Sequence, residues 1–400
     1  MNDSSLLRLA LSATLLLAAA CGDDDGTSTV SDTGVNLDVT EVADAESDAM
    51  SDAIMDAEPD VSTEPTSTLE FDASEAGPYG VGYRRAETTY SAPDGSERTI
   101  PIHVWYPTDD TEGDAPTYAL AFSDPLVFED ATVADPLSGA FPVHVHSHGN
   151  LGFAATSAFL MRRFASHGWV AIAPDHVGDL LFDSGEEDTA ALHLARPTDL
   201  SATLDWLAEL PASDPLSASD TTNVVASGHS RGVTTMYAVG GVAYSEAEFE
   251  QRWPDLTEAE RSAVLGGATD ERITAVIGMA GTYSSSMFGD GNIGQMTLPF
   301  FAMGGDDDNR PAMSAQFDSA FGIVDMVWLQ IAGGCHQAFA LGGCANITND
   351  LAYDIVSDYA LFFARQQVLG DDSENTSATL AGEANVPPAL TEFTLALRED

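Results

Sequence analysis

The segment Gly228-His229-Ser230-Arg231-Gly232 sets a serine between two glycines, after the apolar run 223–227 and before the helix-like stretch 233–241. A serine at a strained strand-to-helix turn exposes its hydroxyl as a nucleophile, and the flanking glycines let the helix pack closely on the strand. The helix start also points backbone N–H groups toward developing negative charge. Alone, this five-residue pattern is a common chance match, because a nucleophilic serine needs a base and the base needs an orienting acid. Later segments hold both. FAMGGDDDNRPA (301–312) puts three aspartates at the end of an apolar run, and LQIAGGCHQAFA (329–340) puts His336 after the next one.

The chain order serine, aspartate, histidine, with each residue at a strand end, predicts Ser230 as nucleophile, Asp308 as acid and His336 as base. Asp308 is preferred because it lies three residues beyond Gly305, far enough into the turn to reach under the histidine; Asp307 is the alternative acid, and Asp306 reads as a turn residue. The expected oxyanion donors are the backbone N–H groups of Arg231 and of Asn150, which follows His148-Gly149. His144, His146 and His148 alternate along one segment in the manner of metal ligands, but no clustered carboxylate completes a site there, so neither a metal nor a cofactor is expected. His176 is expected to line or support the cleft, and His229 to be a packing position in the turn.

The elements that must position these residues alternate between apolar runs and helical patterns, the order of a mostly parallel sheet flanked by helices in an α/β fold. TIPIHVWYPT (99–108) reads as an early antiparallel strand; FPVHVHSHG, WVAIAPDH and NVVASGHS read as strands, and three more follow at 273–281, 297–305 and 325–334. Helical spacing marks 157–168, 200–210 and a closing helix at 351–367. A charged helical insertion at 243–270 follows the nucleophile helix and reads equally as a small cap or as a peripheral excursion.

At 400 residues and 44% hydrophobic content, the chain can bury a full core. Its formal charge of −50 leaves no basic footprint for nucleic acid. It contains no lysine, which excludes Schiff-base, Walker-type and Ser-Lys chemistry. The start, MNDSSLLRLALSATLLLAAAC, is too short an apolar run to span a bilayer and reads as a secretory signal over residues 1–21. Its Ala-Ala-Ala-Cys ending resembles a bacterial lipoprotein box, with Cys21 as the lipidation site and the membrane as a partner. The acidic, lysine-free and arginine-free stretch 22–74 reads as a disordered tether, leaving 75–400 as the catalytic domain. With Cys21 lipidated, Cys335 and Cys344 remain as an even pair in an oxidising setting and are predicted to form a disulfide.

The blocks GPYGVGYRR, HVWYPT, PVHVHSHGNLG, ASHGWVAIAPDHVG, RPTDLSATLDWL and ASGHSRG together resemble α/β-hydrolases of the platelet-activating factor acetylhydrolase-like and dienelactone-hydrolase-like group. The resemblance runs from Gly77 to about Gln367. It implies a serine esterase acting through an acyl-enzyme on small-molecule or lipid esters, with short acyl groups expected, and it matches Ser230, Asp308, His336 and the Asn150 and Arg231 amides to the group's roles. Competing expectations are a catalytically silent surface lipoprotein, a lipase or polyester hydrolase, and an amidase. The lipoprotein-like start implies an expected location in the bacterial cell envelope, anchored to the membrane.

Overall fold

β-branched and aromatic runs become strands wherever both faces of a sheet can be covered, and among the described residues ten strands join into one sheet. The computed structural model describes residues 65–396 apart from 120, 184–187, 309–319 and 321. In chain order the strands are β1 (Gly80–Ser91), β2 (Glu97–Thr108), β3 (Phe128–Glu129), β4 (Phe141–Ser147), β5 (Val170–Pro174), β6 (Ser219–His229), β7 (Ile273–Met279), β8 (Phe300–Gly305), β9 (Met326–Ile331) and β10 (Leu390–Ala396). They lie in the order β10-β9-β8-β7-β6-β4-β5-β2-β1-β3. The six from β9 through β5 run parallel; β2 is antiparallel to both β5 and β1, and β10 closes the far edge antiparallel to β9.

Two hydrophobic cores sandwich this sheet. On one face Phe159, Leu160 and Phe164 of α1 (Ala158–Ser166) pack with Ile355, Tyr359 and Phe363, which lie in the long helix 349–369. On the other, Leu194, Leu200 and Leu204 of α2 (Ala190–Ala208) pack with Met236 and Tyr237 of α3 (Arg231–Val239). Each such side chain, fully buried, contributes roughly 1.5–3 kcal/mol relative to exposure. Parallel strands covered on both faces explain why β4 through β8 read as almost continuous apolar runs. The insertion forms α4 (Glu246–Arg252) and α5 (Glu258–Gly266), capped by Ser245 and Thr257, and it sinks Phe249 and Val264 into the second core. The helix 349–369 is α6, followed by α7 (Glu374–Leu380).

Three boundaries differ from the sequence expectations. The compact unit begins at Pro65 rather than residue 75. Ser67 caps a turn at Thr68–Glu70, and Arg365 of α6 donates to the Leu69 and Phe71 carbonyls at 2.9 and 2.6 Å, so residues 65–74 are docked by polar contacts that an acidic composition does not announce. Helix α2 starts ten residues before the expected 200, capped by Thr189, and runs through Pro197. Past residue 367 the chain adds α7 and edge strand β10, which the sequence reading did not assign. The expected signal segment, Cys21 and the part of the expected tether up to residue 64 lie outside the described residues.

Burial keeps several histidines neutral. It lowers His144 to about 3, and lowers His167 to about 4, from the ordinary 6.5. Since the unfolded chain would protonate them near 6.5, their contribution to stability is complete above that pH and is lost as the pH falls toward the folded values. Thermal denaturation followed from pH 7 to pH 4 should therefore show falling stability, at about 1.4 kcal/mol per pH unit for each such histidine. His167→Gln should make that fall shallower by the uptake of one proton, and an unchanged slope would show that His167 does not carry it.

Candidate active site

Ser230 follows β6 directly and precedes α3, with φ 55° and ψ −114°, a backbone conformation that a residue with a side chain adopts only under constraint. Its N–H donates to the Met279 carbonyl at 2.8 Å, and its carbonyl accepts from Val233 N–H at 3.0 Å. The flanking glycines have a steric cause. A Cβ at Gly228 would stand 2.3 Å from the Gly232 carbonyl oxygen, and one at Gly232 would stand 2.1 Å from that of Ser147. Strand, turn and helix therefore close on one another only without those two methyl groups.

His336 Nε2 lies 2.9 Å from Ser230 Oγ, and His336 Nδ1 lies 2.8 Å from Asp308 Oδ2. With Nδ1–H donating to the carboxylate, Nε2 is left to accept the serine proton. The other two aspartates of the run are engaged elsewhere: Asp306 Oδ1 accepts Gly333 N–H at 2.6 Å, and Asp307 Oδ2 accepts Asn346 Nδ2–H at 2.6 Å. The alternative acid, Asp307, is thus a brace of the loop after β9, and Asp308 is the carboxylate that meets the histidine. His336 opens a short 3₁₀ turn, His336–Phe339, in which Phe339 is fully buried. The Cys335–Cys344 disulfide, with its Cα atoms 5.5 Å apart, closes the loop around it. His229 does more than pack: its ring sits 4.8 Å from that of His336, and its Nε2 meets the His336 carbonyl at 3.1 Å.

The loop after β4 lies against Ser230, with Gly149 packed on its side chain. Asn150 is exposed, Leu151 takes φ 54°, and Gly152 N–H donates to the Gly149 carbonyl at 3.1 Å. Two carboxylates from the loop after β5 hold this turn: Asp179 Oδ1 accepts Leu151 N–H at 3.1 Å, and Asp175 Oδ1 accepts Ala154 N–H at 2.7 Å. His148 bridges the two loops, its Nδ1 meeting the Gly149 carbonyl at 2.8 Å and its Nε2 accepting His176 N–H at 3.0 Å. Acceptance at Nε2 requires a neutral ring, and burial pushes His148 well below the usual histidine range. His176 supports the site from below, with Nε2 2.9 Å from Ser147 Oγ and Nδ1 2.8 Å from Asp199 Oδ2. His144 and His146 share a face of β4, and each places a ring nitrogen 2.7 Å from Ser227 Oγ on the neighbouring strand.

Sequence reasoning missed Asp175, Asp179, Arg196 and Asp199 as parts of this support. Arg196 is buried in α2, yet its guanidinium reaches Asp179 Oδ2 at 2.6 Å, and Arg98 pairs with Asp199 at 2.8 Å. Asp175, Arg196 and Asp199 stand in APDH and RPTDL as charged residues inside apolar surroundings, but their pairings, and Asp179, carry no local signal.

Ser230, Arg231, Asp308 and His336 open into a cavity of about 410 Å³. Its other described walls are Thr234 and the segment from Ala280 to Ser286, rich in hydroxyls. Neither Asn150 nor any residue of the 243–270 insertion lines it; the insertion instead packs beside that wall, where Ser245 N–H donates to the Met287 carbonyl at 2.8 Å.

Residues 122–251, which include Ser230 but neither Asp308 nor His336, match the family model described as Chlorophyllase. A ferulic acid esterase from Streptomyces cinnamoneus aligns with a TM-score of 0.54 at 18% identity, over 74% of this chain and 92% of that one. No curated protein matches the sequence. The order and direction of the strands, with the serine turn after β6, are those of the α/β-hydrolase fold.

The closeness of the turn gives a stability test. Gly232→Ala puts a methyl group against a backbone carbonyl that cannot step aside, and should cost about 3 kcal/mol in chemical denaturation. Gly266→Ala, at a position with open space around it, is the matched control and should cost under about 1 kcal/mol.

Proposed function

We propose that this α/β-hydrolase is a serine hydrolase of carboxylic esters, and the observation that carries the proposal is the continuous hydrogen-bonded chain Ser230–His336–Asp308 at the floor of an open cavity. Ser230 Oγ attacks the ester carbonyl while His336 Nε2 takes its proton, and Asp308 fixes the tautomer and stabilises the imidazolium. The oxyanion is received by the Arg231 N–H, at the start of a helix whose first-turn donors have no intrahelical acceptor, and by the Asn150 N–H from the facing turn. His336 returns the proton to the leaving alcohol, and water then hydrolyses the acyl-enzyme through the same base. None of these steps draws on a cofactor.

A short acyl group fits this site best. Among the described lining residues Ala280 is the largest aliphatic side chain, and Tyr283 is the one aromatic, so little apolar surface is offered to a long chain. The likeness to a ferulic acid esterase supports ester cleavage, and the grouping with acetylhydrolase-like and dienelactone-hydrolase-like enzymes belongs to the same proposal. We place the protein in the cell envelope, anchored through lipidated Cys21, on the strength of its signal-like start and of a disulfide suited to an oxidising compartment.

A fluorophosphonate probe should label the wild type and not Ser230→Ala. Asp308→Asn should lower kcat by roughly 10³- to 10⁴-fold, as loss of the orienting acid does in such sites, whereas Asp307→Asn should cost under about tenfold. Equal losses in the two variants would remove Asp308 from its role. In a series of p-nitrophenyl esters kcat/KM should peak between acetate and butyrate, and matched anilides should be slower; a long-chain optimum would point to a lipase instead.

A further inference from the structure

We propose that Asp179 is a positioning residue that fixes the spacing between the two halves of the oxyanion site, an inference that rests on the ester-hydrolase proposal above. Its two oxygens face different structural elements. Oδ1 accepts the N–H of Leu151, the residue after Asn150, at 3.1 Å. Oδ2 accepts from Arg231 Nη1 at 3.2 Å, and Arg231 is the residue after the nucleophile. One carboxylate therefore ties together the turn and the helix start that supply the two proposed donors.

Arg196 completes the brace. Its Nη1 donates to the same Asp179 oxygen at 2.6 Å, its Nη2 donates to Ser147 Oγ at 3.1 Å and to the His148 carbonyl, and its Nε reaches Thr235 Oγ1 in α3 at 3.4 Å. The pair spans the end of β4, the loop that leaves it, and the helix that starts at Ser230. Asp179 and Arg196 are 2% and 1% exposed, so water does not compete for these contacts. A buried ion pair adds little net stability once desolvation is counted, so rigid placement is the better account of this one. The same geometry defines the Arg231 side chain. Held by Asp179 and 3.9 Å from Asp188, its guanidinium is a strut between loops rather than a free cation for an anionic substrate.

The test uses the full chain and three variants. Asp179→Asn keeps the shape but weakens the charged contacts, and Asp179→Leu combined with Arg196→Met removes both buried charges together. Asp371→Asn breaks a comparable buried pair, Asp371 with Arg365, outside the site. For each, the melting temperature, KM and kcat on p-nitrophenyl acetate are measured, with the affinity for a trifluoromethyl ketone, whose serine adduct carries an oxyanion. Asp179→Asn should lose roughly 30- to 100-fold in kcat with KM within about threefold, and should lose trifluoromethyl ketone affinity by the same factor as kcat/KM. The double variant should regain melting temperature without regaining kcat, and Asp371→Asn should lower the melting temperature with kcat unchanged. Retention of kcat in folded Asp179→Asn, a loss that falls on KM, recovery of kcat with stability in the double variant, or failure of both variants to fold would each overturn the positioning role. A wild type that neither turns over esters nor reacts with fluorophosphonate at Ser230 would instead overturn the hydrolase proposal on which it rests.

Discussion

The structure turns on one strained residue. Ser230 sits at φ 55° because β6 must end and α3 must begin within a single turn, and such a conformation costs on the order of 1–3 kcal/mol that other contacts have to offset. Those contacts surround it. Met279 takes its N–H, Val233 donates to its carbonyl, and residues at 228 and 232 without side chains bring the helix within reach of the Ser147 carbonyl. The two cores, one on each face of the sheet, hold β6 and α3 so firmly that the turn cannot relax into the ordinary backbone region. The turn leaves Ser230 half-buried, lining the cavity with its hydroxyl against His336 Nε2.

A parallel sheet then determines where the partners stand. The C-terminal ends of β4, β6, β8 and β9 lie on the same side, so the loop at 149–152, Ser230, the aspartate run and His336 converge although up to 187 residues separate them in the chain. Each loop is fixed locally. Asp306 and Asp307 are spent on bracing the loop after β9, which frees Asp308 for the histidine, and the disulfide with buried Phe339 prevents the His336 turn from drifting. The run of three aspartates that looks redundant in the sequence is a division of labour, two for the scaffold and one for the imidazole.

What the sequence discloses follows from what is local or periodic. Ser230, Asp308 and His336 were legible because each ends an apolar run, in an order that the fold demands; the strands β4 to β9 were legible because doubly covered strands read as apolar blocks. Cys335 and Cys344 were legible by parity. The brace of Asp175, Asp179, Arg196 and Asp199 was not, because its meaning lies in pairings across loops and helices that no periodicity encodes. The same reason hid the docking of residues 65–74 by Arg365, and the side-on placement of the 243–270 insertion, whose helices were visible but whose distance from Ser230 was not.

Two kinds of buried polar group hold the site, and they work by opposite means. His148 and His176 must be uncharged: burial suppresses their protonation, and a neutral ring both donates and accepts, so each joins two partners on different loops. Arg196 must remain charged, and burial lowers it only to about 10, well above neutral pH, so its planar fork keeps its donors aimed at Asp179, Ser147 and the His148 carbonyl. A chain with a formal charge of −50 and 14 cationic side chains in all has nevertheless committed Arg196, Arg98 and Arg231 to positions at or beneath the candidate active site. Those scarce cations sit against the interior carboxylates Asp179 and Asp199, so the buried acids of the support are matched by positive charge while the surface remains acidic.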